Sequence, residues 1–112
     1  MGFLLFLIQD NMYDIFVNTN SVEVCIAVKS LDASNAVELK TLLKKIDLQG
    51  KDRMVINLKN VEFMDSSGIG VLLSLYKQHN QNVSLKQPSA SVLSVLELLR
   101  LHRVFEIEPT GS

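Results

Sequence analysis

Residues 53–78 constrain the fold more than any other stretch of this chain. "RMVINL" (53–58) is a continuous apolar run, the pattern of a central strand buried on both faces. A short connector, "KNVEF", leads into "MDSSGIG", and "GIGVLLSLYKQHNQN" follows with helical periodicity. On that helix Ile69, Leu72, Leu73 and Tyr76 are spaced to face a sheet. A buried strand that turns directly into an amphipathic helix is the core of a βα unit, and it needs further strands beside it.

The flanking segments provide those strands. "SVEVCIAV" (21–28) alternates, placing Val22, Val24, Ile26 and Val28 on one strand face. "YDIFV" (13–17), joined to it through Asn18, Thr19 and Asn20, reads as its hairpin partner. Ala36, Leu39, Leu43 and Ile46 then recur at helical spacing, with Val37 and Leu42 widening the stripe. Asp32 or Ser34 is placed to cap the start of that helix, and Gly50 lies just past its end. "VSLKQ" (83–87) is a short strand halted by Pro88. Val92, Val95, Leu96 and Leu99 mark a third helix, and "VFEI" (104–107) a last edge strand. Strands alternating with helices over 112 residues, without linker or repeat, imply one α/β domain with a partly parallel sheet.

Composition narrows the function classes. A hydrophobic fraction of 47% is enough to build a core and argues against disorder. Net charge is −1, from 11 basic and 12 acidic residues spread along the chain, so no basic patch offers itself to nucleic-acid phosphates. Cys25, the only cysteine, can form neither an internal disulfide nor a structural zinc site. It reads as a buried core thiol in a protein of the reducing cytoplasm.

The N-terminal "GFLLFLI" is far short of the roughly 18–20 apolar residues that span a bilayer, so no stable membrane insertion is expected. It also lacks the basic region and cleavage site of a signal peptide. Residues 1–12 read as a hydrophobic extension or extra strand, with Phe3 to Ile8 as a strand, a self-association patch or a start-site extension; a weak membrane-surface role and a weak homodimer stand as further readings. Residues 109–112 read as a tail, with "TGS" as a cloning scar.

Enzymatic readings find little support. His79 and His102 both lie among polar neighbours on helices and read as surface residues, neither at metal-ligand spacing from a cysteine or second histidine. "DSSGIG" lacks the first glycine of a nucleophile elbow, and no His/Asp pair is recognisable to activate a serine. The Gly-Lys-Ser/Thr ending of a phosphate-binding loop is absent as well. A phosphoaspartate at Asp65 would need acidic magnesium ligands at an early strand end, where Asp32 stands alone. No catalytic residue, cofactor or metal is expected.

The corner itself has a structural explanation: Asp65, Ser66 and Ser67 are all good N-caps, and Gly68 and Gly70 ease a tight turn. Capping needs only one of the hydroxyls. If Ser67 caps the helix, the Ser66 hydroxyl is left over. A helix N-terminus tolerates an added phosphate, so phosphorylating Ser66 would leave the fold intact and act on whatever docks there. The added charge, about −1.5 to −2, falls beside Asp65. Desolvating it in a contact costs several kcal/mol, comparable to the roughly 5.5 kcal/mol that throws a two-state switch from 1:99 to 99:1.

"VINLKNVEFMDSSGIGVLLSLYKQ" (55–78) closely resembles the signature of STAS domains and, within them, of bacterial anti-sigma factor antagonists. The resemblance extends from about Tyr13 to Ile107, through "SLDASNAVELKTLL" (30–43) and "PSASVLSVLELLRLHRVFEI" (88–107). It implies a small mixed sheet of four or five strands with helices packed mainly on one face. It also implies phosphorylation at Ser66, the serine directly after the aspartate, by a GHKL-type partner that is both anti-sigma factor and serine protein kinase. The unmodified protein would bind that kinase and release a sigma factor. Phosphorylation would end the binding, and a serine phosphatase would restore it.

By the same resemblance Asp65 would contact the kinase, Ser67 and Gly68 would shape the corner, and Asp32 and Ile69 would lie near the partner surface. The sequence departs from the family pattern at "VKSLD", where a glycine is usual, at "HNQNVSL", which replaces a Gly-Gly turn, and around Arg100, another usual glycine. Two other readings stand beside this one. One is a non-switching STAS interaction subunit of a transporter or signalling scaffold; the other is a small hydrolase using Ser66 or Ser67.

Overall fold

Hydrophobic alternation and helical periodicity are realised in chain order as β1 (Tyr13–Val17), β2 (Ser21–Ile26), β3 (Ser30–Leu31), α1 (Ala36–Lys44), β4 (Arg53–Asn57), β5 (Phe63–Met64), α2 (Ser66–Gln78), β6 (Val83–Lys86), α3 (Ala90–Leu98), a 3-10 turn (Leu101–Arg103) and β7 (Glu106–Glu108). The structure is a computed structural model and describes residues 12–108. The hydrophobic extension expected over 1–12, save Met12, and the expected tail 109–112 lie outside the described residues.

The main sheet has the order β1-β2-β4-β6-β7. The β1–β2 hairpin is antiparallel, with Val17 opposite Val22, and every other neighbour pair is parallel. Each crossover from β2 to β4, β4 to β6 and β6 to β7 advances in the same direction. Right-handed crossovers that all advance one way place their helices on the same face. Val22, Val24, Ile26, Met54, Ile56, Val83 and Leu85 line that face and join one core with Leu39, Leu43, Leu72, Leu75, Val92 and Leu96 of the helices. Cys25 and Val55 are buried but stand outside this core, because alternation turns them to the other face.

β4 is buried on both faces, as its apolar run implies, yet Asn57 within it is only 3% exposed and polar. Its Nδ2 donates to Glu23 Oε2 at 3.1 Å and to Gln87 Oε1 at 3.3 Å, and its Oδ1 accepts from the Lys59 N–H at 2.9 Å. Lys86 Nζ reaches Glu23 Oε1 at 3.2 Å. A buried amide needs such partners, because leaving one unpaired costs about 1–3 kcal/mol.

Several local expectations are corrected. Val37 does not widen the α1 stripe; it is 74% exposed. On α2, Leu73 is exposed, and Val71 and Leu75 join Ile69 and Leu72 in the core instead. Leu99 is exposed beyond the end of α3. α1 ends at Lys44, and Gly50 serves a later turn at φ +79° rather than the helix end. His79 is half-buried, not a plain surface residue. Its buried Nε2 has no hydrogen-bond partner among the described residues, and burial pushes the imidazole pKa below its ordinary value.

The departures from the family's glycines have a backbone counterpart. Asn80, Gln81 and Arg100 adopt φ of 54°, 73° and 60°, the left-handed region in which glycine is free of strain.

Candidate functional site

The strand ends of β2 and β4 lead into two acid-bearing loops, and a small parallel ladder fastens these together. β3 pairs with β5, setting Ser30 opposite Phe63 and Leu31 opposite Met64. The Glu62 and Phe63 N–H groups donate to Lys29 O at 2.7 and 3.1 Å, and the Asp65 N–H donates to Leu31 O at 3.3 Å. Asp32 and Asp65 therefore emerge side by side, at the carboxyl end of the parallel strands. Open α/β sheets place their ligand sites at that end.

At the β5–α2 corner the cap is Asp65. Its Oδ1 accepts from the Ser67 N–H at 2.8 Å and the Gly68 N–H at 3.3 Å, with Asp65 itself in an extended conformation. The expectation that Ser67 caps the helix is thus corrected. A carboxylate reaches two N–H groups from the N-cap position and also complements the helix dipole. Ser66 is the first helical residue and exposed; Ser67 is the second and half-buried. Neither hydroxyl is engaged by another described residue. The corner leaves two hydroxyls without a capping role, not one.

Asp32 also turns its carboxylate onto its own loop. Asp32 Oδ1 accepts from Ser34 Oγ at 2.6 Å and from the Ser34 N–H at 2.9 Å, and these bonds hold its pKa below the usual carboxylate value. Neither Asp32 nor Ser34 caps α1 with its side chain. Asn35 holds the N-cap position, makes no side-chain cap, and donates from Nδ2 to Ser30 O at 2.8 Å. The lowered pKa favours the ionised form of Asp32, on a loop braced against β3.

Beneath the corner, Gly68 and Ile69 are buried. A Cβ on Gly68 would lie 2.6 Å from both Leu31 O and Met64 Cγ, so only glycine lets α2 close onto the β3–β5 ladder. Ile69 packs in the core, so both residues support the shape of the surface from below. Phe63, just before the corner, is 54% exposed.

Sequence reasoning passed over one feature, a groove of about 340 Å³ between α1 and α2, lined by Ala36, Val37, Lys40, Ser67 and Gly70 among others. The available signals were an apolar Val37 beside the α1 stripe and a glycine inside a helix. Among the described residues no group of three or more His, Cys, Asp or Glu side chains could hold a metal. No helix among them is long and apolar enough to cross a membrane. Cys25 is a free thiol, buried as expected but on the sheet face away from the helical core, and burial raises its pKa.

Comparison with known proteins gives a consistent result. The sequence model of the STAS domain matches residues 16–111. An anti-sigma-B factor antagonist of Staphylococcus aureus is 30% identical over 99 residues, covering 88% of this chain and 77% of the relative. Among solved structures, a putative anti-sigma factor antagonist from Thermotoga maritima superposes with a TM-score of 0.73 at 24% identity, covering 90% of this chain and 89% of that one. The Bacillus cell fate determinant SpoIIAA, solved in its phosphorylated form, gives 0.62 at 19% identity, over 88% and 92% of the two chains. These last two likenesses speak for the fold.

Proposed function

This chain belongs to the STAS domain family and, within it, to the anti-sigma factor antagonists, and on that premise we propose that it is a phosphorylation-controlled partner switch. In its unmodified form it binds a GHKL-type anti-sigma factor that is also a serine protein kinase, and so frees a sigma factor. Phosphorylation of Ser66 ends the binding, and a serine phosphatase resets the protein. All of this takes place in the cytoplasm.

The observation that carries the reading is the state of Ser66: exposed at the first position of α2, with a hydroxyl that the fold does not use. Asp65 already satisfies two of the helix's free N–H groups, so a phosphate on Ser66 has no cap to displace. The phosphate adds about −1.5 to −2 charge next to Asp65, on the surface that Asp32 shares. An interface that accepts the unmodified corner must then desolvate or hydrate clustered negative charge, and it loses several kcal/mol. The kinase brings the nucleotide and metal, so the reading asks for no catalytic group on this chain.

The test pairs the purified chain with the GHKL-type anti-sigma kinases encoded in its own genome. Intact mass after incubation with MgATP should rise by one phosphate, mapped to Ser66 and absent from Ser66→Ala. In calorimetric titration Ser66→Ala should bind one of these kinases like wild type, and Ser66→Asp should bind at least about a hundredfold more weakly. Equal binding by all three proteins defeats the switch and marks a constitutive interaction subunit instead.

A further inference from the structure

Gly70 lies on the exposed side of α2, two residues beyond Gly68, and the two glycines differ in what the fold asks of them. A Cβ on Gly68 collides with the β3 backbone, whereas a Cβ on Gly70 meets nothing within 4 Å. Gly70 has no positive φ to require it. Glycine is among the poorest helix formers and alanine the best, so the fold gains nothing from glycine here. What Gly70 does supply is room: with Ala33, Ala36 and Ser67 it lines the α1–α2 groove, which Val37 borders with its 74% exposed side chain. Ser67 joins this groove to the Ser66 corner, so the two form one continuous surface.

We infer that Gly70 is a specificity residue for the anti-sigma partner: the groove it opens receives one aliphatic side chain of that protein, beside a partner carboxylate that meets Lys40. The inference rests on the partner-switch reading above. An aliphatic side chain fits because Ala33, Ala36, Val37 and Val71 line the groove. A neighbouring carboxylate fits because Lys40 is the one charged side chain among its lining residues, with no acid to neutralise it there. The groove also explains how a corner with few apolar groups can anchor a partner, since docking energy concentrates in a few desolvated pockets.

The experiment measures two properties of Gly70→Ala in the full chain. Thermal unfolding of the free protein should shift upward by about 4 °C or more, because the helix gains and nothing clashes. Affinity for the purified anti-sigma kinase that phosphorylates Ser66 should fall about tenfold, and further for Gly70→Leu, as the added side chain occupies the groove. Lys40→Glu should also weaken binding by about fivefold or more, while Lys40→Arg stays near wild type. Gly70→Ala binding within about twofold of wild type overturns the inference, yet leaves the Ser66 switch standing if wild type still binds and is phosphorylated. A lowered melting temperature for Gly70→Ala overturns it too, by showing that the fold needs this glycine. If wild type binds no anti-sigma kinase, the switch reading fails and this inference fails with it.

Discussion

On the sheet face turned away from the helices, Asn57, Glu23, Gln87 and Lys86 answer one another's hydrogen-bonding groups. At the β5–α2 corner the acids are satisfied by nearby loop and helix N–H groups, and the Ser66 and Ser67 hydroxyls are engaged by no other described residue. The first arrangement is closed: its polar groups hold strands together and have little left to offer a ligand. The second is open: the β3–β5 backbone ladder and the Asp32 and Asp65 carboxylates hold it in place, and the two serine hydroxyls are left over. A surface used for reversible docking needs that second plan, because any group already paired internally must break its bond before it can meet a partner.

Substitutions in the two regions should separate these plans. The largest effect is expected at the buried support of the corner. Gly68→Ala forces the β3–β5 ladder away from α2 and should destabilise the domain by about 3 kcal/mol in denaturant unfolding. A loss below about 1 kcal/mol would mean that the ladder yields easily and that the corner is not held rigidly.

Asn57→Ala should cost about 2 kcal/mol, because it removes the donor shared by Glu23 and Gln87 in a buried setting. A neutral result would show that the closed network is ornamental. Removing the cap with Asp65→Ala should cost about 1 kcal/mol in the same measurement, the usual worth of an N-cap. Ser66→Ala should fall within about 0.5 kcal/mol of wild type, since its hydroxyl serves no bond in the fold. A larger loss there would place Ser66 on the closed side of the comparison.

The smallest effect concerns Asp32, whose carboxyl should titrate below the ordinary 3.8 in carbon NMR and move back up in Ser34→Ala. Its folded pKa is lowered, so the loop's contribution to stability is present above that ordinary value and fades as the pH falls through the folded one. An unmoved titration in Ser34→Ala would show that the Ser34 hydroxyl is not what holds the carboxylate ionised.

Much of the architecture was legible because it is local. Period-two alternation in residues 21–28 and helical spacing in residues 68–82 are written into neighbouring residues, so β2 and α2 form there, with β2 ending at Ile26 and α2 running from Ser66 to Gln78. Helix faces were less legible. Val37 and Leu73 both satisfy an apolar spacing rule and both end up exposed, because a helix wedged between a sheet and a second helix can bury only part of a wide stripe. Among three adjacent capping residues the sequence does not fix the cap, since which side chain reaches the free N–H groups depends on where the strand before it ends.

By itself the sequence determined an α/β domain with a central buried strand, and its resemblance to STAS domains, rather than the capping argument, pointed to Ser66 as the hydroxyl to watch. Only the tertiary structure decided that the β3–β5 ladder is what sets Asp32 beside Asp65, that Gly68 is needed by the fold while Gly70 leaves a groove, and that Asn57 belongs to a closed network. Side-chain periodicity is set by bonds between neighbouring residues, so it can be read along the chain. Pairing β3 with β5, or opening space between α1 and α2, depends on contacts between segments far apart in sequence, and these exist only once the chain has packed.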